Sequence, residues 1–169
     1  TEEINLSMNP EIPDDCDLLF LYAPTSDITD DEKTIIEKYL SDGGKVYLIL
    51  GDTTSDTPNL DGIMSDYGLK KVSGYIADTQ RCYQGNYYAI FPQLSLSGDL
   101  GSGISNQMVL LLNSPGMEKT DTDNDNLTVT PFMQTSDSGY AVTENDQTQG
   151  QYILGAVSIN AISADSSDS

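Results

Sequence analysis

The chain contains no histidine. That absence removes imidazole general bases, Ser-His-Asp triads and histidine metal ligands in one stroke. Cations are scarce as well: 7 lysines and arginines against 27 aspartates and glutamates leave a formal charge of −20. Affinity for phosphate backbones rests largely on those cations, so the composition excludes nucleic acid as a partner. No apolar run approaches the ~18 residues that a membrane span requires. No basic-then-apolar leader stands at the start either, and the opening at Thr1 reads as that of an excised domain. Two cysteines, Cys16 and Cys82, are too few for a disulfide framework. They read as unpaired structural thiols, with one disulfide between them as the alternative. Neither suits nucleophilic catalysis, because no histidine exists to serve as its base.

What is present suffices for a core. Leu, Ile, Val and Phe together number 39 of 169 residues, about 23%, above the roughly 20% level that marks disordered chains. The length implies one domain, taken here as residues 1–162, followed by an acidic and serine-rich tail over 163–169 expected to be disordered. The acids are mostly aspartate, and with Ser, Thr and Asn they suit turns and caps better than helix interiors.

The clearest pattern lies in the first 72 residues. Asp17 to Ala23 is a continuous apolar run, as expected of a strand buried on both faces. Thr29-Asp-Asp-Glu32 matches a capping box. Ile35, Ile36, Tyr39 and Leu40 follow at helical spacing, and Gly43-Gly44 supplies the stop. Lys45 to Leu50 is a second apolar strand, which completes a β-α-β unit with parallel strands. Pro58 then opens a second helix with Leu60, Ile63, Met64 and Tyr67 on its buried face and Gly68 at its end. Leu69 to Ala77 is expected as a further strand, and the alternation of Glu3 to Met8 predicts one upstream. The second half is less regular: Tyr87–Phe91, Met108–Leu112, Leu127–Met133 and Gln151–Ile162 are strand-like. The expected class is therefore α/β, a mainly parallel sheet flanked by helices, with an irregular β-rich second half.

In such sheets ligands bind outside the carboxyl ends of the strands. Thr25, Ser26 and Asp27 after the first strand, and Asp52, Thr53, Thr54 and Ser55 after the second, are the candidate ligand-binding residues. Hydroxyls and carboxylates there suit a hydroxyl-rich ligand or a cation, whereas ordinary polar βα loops have the same composition. Neither loop is a P-loop or a G-x-G-x-x-G turn. Asp121, Asp123 and Asp125 place oxygen ligands at alternating positions, as calcium loops do, but Asn126 and Phe132 stand where that loop requires Gly and a bidentate Glu. A solvated acidic loop is the competing reading. Tyr83, Tyr87 and Tyr88 beside Gln80, Arg81 and Asn86 form a local aromatic cluster, suited to an interface or to plain strand packing. Asp27 and Asp52 are the pair that a carboxylate-based hydrolase would use. No catalytic residue and no cofactor are assigned.

Ile12-Pro-Asp-Asp-Cys-Asp-Leu-Leu-Phe-Leu-Tyr-Ala-Pro24, Ile28-Thr-Asp-Asp-Glu32 and Tyr39-Leu-Ser-Asp-Gly-Gly-Lys-Val-Tyr-Leu-Ile-Leu50 resemble the extracytoplasmic domain of GldG-like proteins, auxiliary components of ABC-type transport systems. The likeness continues through Asn59-Leu-Asp-Gly-Ile-Met-Ser-Asp-Tyr-Gly68, Ile76-Ala-Asp78, Pro131-Phe-Met-Gln-Thr-Ser136 and Ser138. It implies a fold related to class I glutamine amidotransferase-like and ThuA-like sheets, and the expected sheet is accordingly class I glutamine amidotransferase-like or flavodoxin-like. It also implies a non-catalytic domain on the extracellular face of the plasma membrane, anchored by flanking segments, with ABC permease and ATPase subunits as partners. An extracellular ligand is the other implied contact. A carbohydrate- or calcium-dependent binding module independent of a transporter is the alternative.

Overall fold

A computed structural model describes residues 1–51, 56–95 and 108–161. They form thirteen strands and two helices, gathered into two compact units: Thr1–Asp66 with Ala161, and Tyr67–Asn160.

In the first unit, strand β1 (Leu19–Tyr22) leads to helix α1 (Asp30–Ser41), strand β2 (Val46–Ile49) and helix α2 (Pro58–Asp66). Helix α1 starts where its sequence dictates. The Glu32 amide donates to Thr29 Oγ1 at 3.2 Å, and the Glu32 carboxylate accepts from the Thr29 amide at 2.9 Å. The bond from the Thr29 amide, with another from the Ser7 hydroxyl, holds the Glu32 carboxyl below its ordinary range. The helix ends in a Schellman turn: Gly43, at φ +93°, donates to the Leu40 carbonyl and Gly44 to that of Tyr39. Strands β1 and β2 pair in parallel, Leu19 opposite Val46 and Phe20 opposite Tyr47. Leu19 packs with Ile36 of α1 and Ile63 of α2, and Leu21 and Val46 complete that face.

The second unit is antiparallel throughout its described strand pairs. Strands β3 (Leu69–Val72), β4 (Tyr75–Asp78), β5 (Cys82–Tyr83), β6 (Asn86–Ile90), β7 (Gln93–Leu94), β8 (Leu111–Leu112), β9 (Gly116–Lys119), β10 (Leu127–Gln134), β11 (Gly139–Val142), β12 (Gln147–Gln149) and β13 (Ile153–Asn160) follow in order. They build a five-stranded sheet ordered β3-β9-β13-β10-β7 and two three-stranded sheets, β12-β11-β4 and β5-β6-β8. Ile76, Ile90, Ala141, Tyr152 and Leu154 form the core. Pro131, which lacks an amide for the ladder, sits next to a bulge where β10 slips register against β13.

Three expectations need correction. The mainly parallel, flavodoxin-like sheet is not found: β1–β2 is the one parallel pair among the described strands, and every other pairing is antiparallel. After α2, apart from the stretch between β7 and β8, the connections run to at most seven residues, too short for a crossover helix, and strands joined by tight turns run antiparallel. Glu3–Met8 is not a strand: residues 6–8 form a turn, in which Asn5 takes the Met8 amide on both its side-chain and main-chain oxygens. Ile4 and Leu6 still pack on the first unit's core, which accounts for their alternation. Leu69–Ala77 divides at Ser73-Gly74 into β3 and β4, which join different sheets.

Candidate functional site

At the carboxyl end of β1 the chain leaves through Ala23, in the left-handed region at φ 43°. Thr25 and Ser26 then lie exposed, whereas Asp27 is partly buried and already occupied. Its Oδ2 accepts from the Asn59 amide at 2.8 Å and its Oδ1 from the Leu60 amide at 3.1 Å. These are amides of the first turn of α2, which have no carbonyl partner within the helix. The Asn59 side chain answers by donating to the Ile28 carbonyl at 2.8 Å and to Asp30 Oδ1 at 3.0 Å. Asp27 is thus a cap supplied from a distant loop, a role its type allows and its sequence neighbours do not announce. Asp52, Thr53, Thr54 and Ser55 lie outside the described residues, as do 163–169.

Asp27→Ala should therefore cost about 1–2 kcal/mol of stability in urea denaturation. Thr25→Ala and Ser26→Ala should stay within about 0.5 kcal/mol. An unchanged Asp27→Ala midpoint would return Asp27 to the list of residues free to meet a ligand.

The loop holding Asp121, Asp123 and Asp125 is ordered by other side chains. Asn124 accepts from the Asn126 amide at 3.0 Å, Thr122 accepts from the Asn124 amide at 3.2 Å, and Asn124 reaches Asn160 at 3.3 Å. The three aspartates are exposed, and among the described residues no three acidic or cysteine side chains converge as a metal site.

A different feature stands out on β1 and β2. Strand alternation places Leu19 and Leu21 on the helix-covered face and Leu18, Phe20 and Tyr22 on the other. Phe20, Tyr22 and Tyr47 are 52%, 73% and 50% exposed. The Phe20 ring lies parallel to Tyr47 at 5.1 Å and to Tyr22 at 6.0 Å. Sequence reasoning missed this surface by reading the apolar run as buried on both sides. Aromatic rings at both outward positions of β1, Phe20 and Tyr22, were the available signal.

In the second unit Tyr83 and Tyr87 are exposed on the β5–β6 hairpin, whose Gln84-Gly85 turn has both residues left-handed, as a type I′ turn requires. Tyr83 meets Phe91 edge-on at 6.0 Å. Cys16 is half-buried against the first unit's core, Cys82 is half-buried at the start of β5, and both are free thiols.

Behind the hairpin lies Asp78, 0% exposed. Its Oδ1 accepts from the Gln80 and Arg81 amides, both at 2.9 Å, and from Ser136 Oγ at 2.9 Å. Its Oδ2 accepts from the Ser136 amide at 2.7 Å. Burial alone would raise this carboxyl, but the amides of Ser136 and Arg81, the Ser136 hydroxyl and the Gln80 amide outweigh it and hold it low. Asp78 and Ser136 both belong to segments quoted above for the family resemblance, and the fold joins them. The arrangement is no nucleophile: Ser136 is buried and donates its proton to a carboxylate already saturated with amides.

Comparison with known proteins agrees with the resemblance. No curated protein matches the chain. A solved structure described as the mmIFT52 N-terminal domain shares the fold, with a TM-score of 0.53 at 13% identity over 82% of this chain. The chain spans 65% of that structure, somewhat less than two thirds of its length. The family described as an ABC-type uncharacterized transport system matches residues 1–153. The chain belongs to this family and is an auxiliary domain of an ABC-type transport system.

Proposed function

We propose that this domain is a non-catalytic docking element on the extracellular face of the plasma membrane. Flanking segments of its protein hold it there, and it binds the permease of an ABC-type transport system, with the ATPase in the same complex. The open aromatic face of β1–β2 carries this reading: a parallel strand pair is normally covered on both sides, and here Phe20, Tyr22 and Tyr47 stand uncovered. Aromatic side chains of this kind are enriched where partners meet. A surface with a formal charge of −20 agrees with a location away from anionic lipid and nucleic acid. The absence of histidine supports a non-catalytic role, as does Asp27, which spends both carboxylate oxygens on α2.

The test is affinity capture of the tagged full-length protein from detergent-solubilised membranes, followed by mass spectrometry. Permease and ATPase subunits should be enriched over an unrelated membrane bait. The double variant Phe20→Ser, Tyr47→Ser should lose at least about tenfold of that enrichment, because buried aromatic anchors dominate interface energies. Its melting temperature should hold, since both rings are already half in water. Equal capture by wild type and variant would move the contact elsewhere, and no capture under conditions that preserve a known transporter would remove the reading.

A further inference from the structure

The second unit contains a cavity of about 470 Å³, whose lining includes Gln80, Arg81, Cys82, Phe91, Leu94 and Val109. That volume falls in the range of roughly 300–1,000 Å³ typical of small-molecule sites. Arg81 is the only arginine in the chain. Its amide is fixed by Asp78, its Nε donates to the Phe91 carbonyl at 2.7 Å, and its Nη2 donates to the Pro92 carbonyl at 3.3 Å. Main-chain carbonyls hold the guanidinium without neutralising it. In a chain with 27 acidic residues, no described carboxylate lies within 4.0 Å of it. A guanidinium carries five N–H donors, and among the described residues the Nη1 pair and the second Nη2 proton meet no hydrogen-bond acceptor.

We infer that this groove binds an amphipathic monocarboxylate, with its apolar chain on Phe91, Leu94 and Val109 and its carboxylate on the Nη donors of Arg81. One fixed cation above an apolar floor matches one negative charge at the end of an apolar chain. The planar fork of arginine suits carboxylate geometry better than a point charge would. Long-range repulsion by the acidic surface makes the site selective for ligands carrying a single charge. This inference uses no residue of the β1–β2 face and stands or falls independently of the docking reading.

The experiment is an NMR titration of the isotope-labelled chain with octanoate, octanol and octylamine as acid, neutral and cationic probes. Octanoate should shift the amides of Arg81, Cys82, Leu94 and Val109 and saturate. Octanol should bind at least about fivefold more weakly, as expected for loss of a charge-assisted hydrogen bond at a solvated site. Octylamine should leave these amides unmoved. Arg81→Gln should reduce octanoate to the level of octanol while the affinity for octanol is unchanged. That variant also loses bonds to the Phe91 and Pro92 carbonyls, so Val109→Asp serves as a second arm. It leaves Arg81 in place, offers it an internal carboxylate, and should abolish the preference in the same way. Equal affinity for acid and alcohol, shifts outside the groove, or no shifts at all would each overturn the assignment.

Discussion

Asp78→Ala should lower the free energy of unfolding by about 3–5 kcal/mol, the largest loss expected from any single substitution in the second unit. The carboxylate accepts four hydrogen bonds, three of them from main-chain amides. Alanine strands those amides in a site that is 0% exposed. Ser136→Ala removes only the hydroxyl donor and should cost about 1–2 kcal/mol. The carboxyl is held below the ordinary carboxylate range when folded, so its stabilisation is complete above the unfolded value of about 3.9. It is lost as pH falls through the lower folded value. Denaturant titrations from pH 7 down to pH 2 should show the gap between wild type and Asp78→Asn narrowing below pH ~4. A gap independent of pH would show that the carboxylate's charge contributes nothing.

Gly74→Ala should cost about 2–4 kcal/mol by the same measurement. Gly74 forms the corner between β3 and β4 at φ +82°, where L side chains are strained. A Cβ there would also be driven into the Val142 carbonyl oxygen, with the Val142 carbonyl carbon at 2.6 Å. Val142 pairs with Tyr75, so the β4–β11 ladder must open to admit the methyl. Gly43 separates strain from collision, because it is also left-handed at φ +93° but has nothing within 4 Å of the added Cβ. Gly43→Ala should cost only about 1 kcal/mol. Equal losses at both positions would mean that the contact with Val142 relaxes freely.

Sequence alone revealed the elements whose signals are local. The Thr29–Glu32 box, the Gly43-Gly44 stop and Pro58 each act within four residues, and α1 and α2 begin and end beside them. The second unit resisted reading because its strands run to only two to eight residues and draw their meaning from distant partners. Gly139 opposes Asp78, and Lys119 opposes Leu69. No window of neighbouring residues contains that information. Asp78 looks like any of the other aspartates until Ser136, 58 positions away, is brought to it. Asp27 follows β1 in the sequence, but its two contacts on α2 lie 32 and 33 positions away, beyond any local pattern.

The strand order of the five-stranded sheet has a consequence for how the chain is made. Strand β13 is the last in sequence yet sits in the middle, between β9 and β10. A growing chain emerging from the ribosome carries both neighbours as unpaired edges until Ile153–Asn160 arrives. Backbone amides of β9 and β10 must meanwhile stay hydrated or be shielded by a chaperone, since the pairing they await is long-range and slow to close. The first unit's β-α-β-α segment faces no such delay, because its strand and helix contacts fall within its first 66 residues. Assembly of the second unit is thus gated by its final strand. Any premature stop before Ile153 would leave the rest of that sheet without its centre.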